Sequence, residues 1–81
     1  MMNDQMLLYV LENEPEHDPI GGYMSSKEAI NAGLLALTTV GMLLRVVPVC
    51  KGQVVVKIVD AAVTPPKPLL RVVMRDVNLR E

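Results

Sequence analysis

The stretch MLLRVVPVCKGQVVVKIVD, residues 42–60, decides the fold. Two valine-rich runs, Met42 to Val49 and Val54 to Asp60, flank Cys50-Lys51-Gly52-Gln53. β-Branched residues on both sides of a glycine-bearing turn predict a β-hairpin. Its register matters because a slip of one residue exchanges the faces of a strand. A two-residue loop puts Arg45 and Lys57 on opposite faces, where each interrupts an apolar surface. A three-residue loop gathers both cations on one face. The other face then reads Leu44, Val46, Pro48, Cys50, Val54, Val56 and Ile58, all apolar. Burial favours this second register, with Cys50 as a small buried residue. Pro48 has no N–H to give to a ladder, so it belongs at an open edge or a bulge.

Downstream, Thr64-Pro65-Pro66-Lys67-Pro68 is a stiff extended connector, since three prolines exclude helix. Leu69 to Leu79 reads as the last strand. Leu70, Val72 and Met74 line one side, and Arg71, Val73, Arg75 and Val77 the other. Upstream, Ser25-Ser26-Lys27-Glu28 has the spacing of a capping box, in which Ser25 caps the N–H of Glu28 and the carboxylate reaches back. Ile30, Leu34 and Leu37 follow at helical spacing, with Ala29, Ala32, Gly33 and Ala36 keeping the flanks slim. A helix from about Ser26 to Thr38 is expected, and a longer one reaching Leu44 is the alternative. Met6 to Leu11 is a short apolar run of strand length. Between Asn13 and Gly22, prolines, glycines and acids predict an exposed acidic connection. The order is β-α-β-β-β. It defines an α+β domain spanning residues 1–81, with a mainly antiparallel four-stranded sheet and a single helix packed on one face.

Composition limits function. The chain has 81 residues, 51% hydrophobic and 21% charged, which excludes a disordered segment. A mass of 8.9 kDa implies a folded surface of ~4,800 Å², so the core is thin and a second copy or a partner is expected to help. One cysteine excludes a disulfide scaffold and fits a reducing, cytoplasmic setting. The N-terminus, Met1-Met2-Asn3-Asp4-Gln5, lacks the cationic region of a secretory signal. The longest uncharged run, Ala29 to Leu44, falls short of the ~20 residues that span a bilayer, and no membrane partner is expected.

The net charge of −1 hides an asymmetry. Residues 1–28 carry six carboxylates against Lys27, whereas seven cations and three carboxylates fall in residues 29–81. In the favoured register Arg45, Lys57, Arg71 and Arg75 share the sheet face opposite the helix, interleaved with Val47, Val55 and Val73. These seven residues form the candidate partner-binding surface. Three readings apply to it: an ordinary solvated face with cationic stems over valines, a face for a protein partner or a second copy, and a nucleic-acid surface. Nucleic-acid binding lacks stacking platforms, because the chain has only Tyr9 and Tyr23 as aromatic residues, and its pI of ≈ 5.7 is acidic.

Catalytic groups are sparse. His17, among Glu14, Glu16 and Asp18, could approach a cation but reads as part of a solvated loop. Cys50 has no histidine nearby in sequence to activate it. Gly21-Gly22 reads as a turn, without the spacing of a phosphate-binding loop. No catalytic set, cofactor site or metal site is expected. The sequence therefore points to a small non-catalytic interaction module of the regulator, inhibitor or adaptor type, a homodimer or a docking subunit. It would use the valine–arginine face or an edge strand, with charge giving selectivity. A nucleic-acid-binding regulator using the basic C-terminal strands is the alternative.

Overall fold

A computed structural model describes residues 5–37 and 41–78. It has one helix packed against an antiparallel five-stranded sheet. The elements are β1 (Gln5–Asn13), β2 (Pro19–Tyr23), α1 (Ser26–Ala36), β3 (Leu44–Lys51), β4 (Val54–Asp60) and β5 (Lys67–Asn78). Across the sheet the strands run β2-β1-β5-β4-β3, so the last strand in sequence is the central one.

The expected four strands become five because the acidic connection is a hairpin. Asn13 accepts from the His17 N–H at 2.8 Å and donates its own N–H to the Asp18 carbonyl at 3.0 Å. Its side-chain Oδ1 takes the Asp18 N–H at 2.7 Å. These bonds close the turn and start β2 at Pro19, whose missing N–H is tolerated at the first residue of an edge strand. Gly21 and Gly22, expected to form a turn, pair instead with Leu11 and Val10. A side chain at Gly21 would meet the Tyr23 hydroxyl at 2.9 Å, which gives the glycine a reason to sit in a strand.

The helix starts as the capping residues require. Ser25 is extended, and its Oγ accepts the Glu28 N–H at 3.2 Å. It ends at Ala36, with Leu37 as its C-cap. Leu44 lies in β3, so the longer helix is excluded, and the expected end at Thr38 lies outside the described residues. The contact line of the helix differs from expectation. Ala29 and Gly33 are its buried residues, whereas Ile30, Leu34 and Leu37 pack around them partly exposed. A Cβ on Gly33 would lie 2.8 Å from Ile58 Cδ1 and 3.2 Å from Leu11 and Leu70 Cδ1. Small residues thus let the backbone sit close on the sheet, and the larger ones close its sides.

The core follows the strand alternation. Leu11, Val72, Val56 and Pro48 align across β1, β5, β4 and β3, and Leu70, Ile58 and Val46 align in the neighbouring row. Leu11, Val56, Ile58, Leu70, Val72 and Ala29 form the buried cluster under the helix. The helix reaches over β1, β2, β4 and β5. Strand β3 overhangs beyond it, and its Val46 and Pro48 are exposed.

The hairpin brings the two cations to one face as expected, but Val54, expected on the apolar face, pairs with Val73 of the cation side, and the turn is different. Arg45 pairs with Val59 and Val47 with Lys57, so the two cations share a face. The turn itself is Gly52-Gln53, a two-residue connection, with Gly52 at φ 60°. The extra residue that restores the parity is a bulge between Pro48 and Lys51, where Cys50 takes φ 50°. Cys50 is exposed there and not buried as expected.

Candidate interaction surface

The surface is the sheet face opposite the helix, continued onto β3. Cross-strand pairing sets Pro19, Glu12, Arg71, Lys57 and Val47 in one line across all five strands. Arg75 and Val73 follow Arg71 on the same side of β5, and Arg45 follows Val47 on β3. Six of the seven expected residues therefore come together. The side chain of Val77 lies outside the described residues.

Val55 is the exception. Val54 pairs with Val73 and Val56 with Val72, so Val55 is the extra residue of a bulge in β4. It packs against the helix-side cluster. There it lines, with Tyr9, Met74, Ser26 and Cys50, a depression of about 270 Å³ between the hairpin tip and the start of the helix. Uniform alternation could not show this, because a bulge suspends alternation locally.

Two carboxylates change the character of the face. Glu12 is only 3% exposed, and it faces the arginines. Arg71 Nε donates to Glu12 Oε1 at 2.8 Å, and Arg75 Nη2 donates to Oε2 at 2.9 Å. Burial alone would raise the carboxyl's pKa. The hydrogen bonds from Arg75 and Arg71, with their charges, outweigh it and hold Glu12 below the usual carboxylate range. Beside it, Glu14 is pinned by its N–H to the Leu69 carbonyl at 3.0 Å. Its Oε2 lies 3.5 Å from Lys57 Nζ, and its Oε1 lies 3.3 Å from His17 Nε2. The His17 loop is thus joined to the sheet face through Glu14. Among the described residues no group of three or more His, Cys, Asp or Glu could hold a metal ion.

Part of the signal for Glu12, its face on β1, was present in the sequence. On β1, residues 6, 8, 10 and 12 share a face, and one more residue of strand beyond Leu11 puts Glu12 opposite Arg71.

Val73 is 3% and Val59 7% exposed on this face, so their apolar area is already withdrawn from water. Val73 sits between Arg71 and Arg75 on this side of β5. Apolar surface is left open at the β3 edge, and also at Ile20, Met24 and Leu35 around β2 and the helix. Met42, Leu43, Val46 and Val47 are all exposed, Leu43 by 56%. Arg45 beside them has no ion pair among the described residues.

Among the described residues no helix is long and apolar enough to cross a membrane. No protein-family model matches the chain, and neither a curated protein nor a solved structure matches it.

Proposed function

We propose that this chain is a small non-catalytic interaction module that engages a protein partner through its edge strand β3. The observation that carries this reading is the exposure of β3 along nearly its whole length, beyond the reach of the helix. An edge strand presents unpaired N–H and C=O groups, and Met42, Leu43, Val46 and Val47 surround them with apolar area. The sheet face further in is a poorer contact, because its valines are covered and its cations are matched by Glu12 and Glu14. The same pairing counts against the nucleic-acid alternative. Arg71, Arg75 and Lys57 would have to leave their carboxylates to follow phosphates. A regulator, inhibitor or adaptor working in the cytoplasm fits this surface and the single cysteine.

Affinity capture from host lysate tests the reading with matched variants. Val46→Asp should abolish capture and leave the melting temperature of dilute protein within a few degrees, because Val46 is exposed in the single chain. Leu35→Asp, on the outer face of the helix, should capture as the wild type does. Equal capture by Val46→Asp and wild type, or nucleic-acid binding with a steep salt slope, would overturn it.

A further inference from the structure

Building on the assignment of β3 as the contact strand, we infer that its partner is a second copy of this chain. The two β3 strands pair antiparallel about a two-fold axis through Val46.

Exposed area favours a second copy. The chain exposes 5637 Å², against ~4,800 Å² for a self-contained monomer of its mass. A chain with this much open surface has room to give up the ~800 Å² that one partner contributes to a standard interface. A two-fold interface needs only one such patch, since the same surface serves both copies.

The backbone groups of β3 also point the right way. The Leu43 carbonyl accepts the Ala61 N–H at 2.7 Å, so Leu43 faces the β4 side. Alternation turns Arg45 and Val47 the same way. Leu44, Val46 and Pro48 then point their N–H and C=O groups to the free edge. Pro48, with no N–H, is placed where it costs β4 nothing.

Charge selects the register. Within β3, two alignments each allow four hydrogen bonds between copies. One pairs Leu44 with Val46 of the second copy and sets the two Arg45 side chains directly opposite each other, which is destabilising. The other pairs Val46 with Val46. The two valines exchange both bonds, and each Leu44 N–H reaches the Pro48 carbonyl across the axis. Arg45 then lies opposite Val47. The proline and the bulge beyond it end the ladder, so pairing stays short and closes as a dimer.

Sedimentation equilibrium of the whole chain at micromolar concentration should return twice 8.9 kDa. In a Cys50→Ser background, Val46→Cys should form a covalent dimer under mild oxidation, because paired Cα atoms about 5.5 Å apart suit a disulfide. Leu44→Cys, offset by four residues from its copy, should stay uncrosslinked. Preferential crosslinking through Leu44→Cys would overturn the register. Hydrogen exchange on the wild type gives a reading free of substitutions: Leu44 and Val46 amides should gain protection as concentration rises, and unchanged protection overturns the pairing. A monomer whose capture of another protein is lost in Val46→Asp overturns the second copy alone. A monomer with capture unaffected overturns the edge-strand reading as well.

Discussion

Glu12 is the residue on which the face opposite the helix turns. Its folded pKa lies below the unfolded value, so the stability it contributes is fully present above the unfolded pKa of ~4.3. That stability is lost as pH falls through the folded pKa. Glu12→Gln keeps the shape and removes the charge, leaving Arg71 and Arg75 facing each other. Removing one partner of a fully buried pair costs ~3–5 kcal/mol, but Arg75 is half-exposed and regains water. We expect a loss of about 2 kcal/mol at pH 7 by urea denaturation. The gap to wild type should narrow as the pH drops below 4, because protonation removes the same charge from the wild type.

At the scale of elements, two tests separate local from tertiary causes. Ser25→Ala removes the hydroxyl that caps the helix and should cost ~1 kcal/mol. Glu28→Ala should cost less, since no return bond from the Glu28 side chain occurs among the described residues. On the strands, Val56→Lys puts a charge under the helix and should cost more than ~3 kcal/mol. Val47→Lys, on the open strand, should change stability by less than ~0.5 kcal/mol at concentrations too low for two copies to pair. Thermal melting of both variants checks the contrast. Val55→Lys should fall between them, because Val55, expected on the face opposite the helix, packs at the edge of the core. The helix start and the two sides of β5 were legible because caps and alternation are local signals, whereas the bulge at Val55 broke the alternation of β4. β2 was hidden by Pro19, Gly21 and Gly22, residues that strands usually avoid and that only an edge position admits.

For the whole molecule, the thin core and the uncovered edge are two sides of one fact. A single eleven-residue helix is too narrow to roof five strands, and β3 is the strand left outside. A chain stabilised by its own copy gains stability by mass action, so its melting temperature should rise with protein concentration. Calorimetry over a hundredfold concentration range checks this, and a constant melting temperature would mark a self-sufficient monomer. Sequence reading reached the fold class and the shared face of the cations. It missed how that face is neutralised, because Glu12 and Arg71 are far apart in the chain and become neighbours only through the strand order.

The bulge before the hairpin turn has a consequence for how this chain tolerates insertions and deletions. It acts as a phase element, since the one residue it adds sets which half of β3 looks up and which looks down. Burial ordinarily enforces such a phase, but β3 is open on both sides and a shift would bring few penalties in packing. The proline supplies the missing check. With Cys50 deleted, the strand would advance by half a period, and the nitrogen of Pro48 would turn from solvent toward β4, where a donor is required. A strand that packing leaves indifferent to its own orientation is therefore kept in frame by an atom that cannot donate.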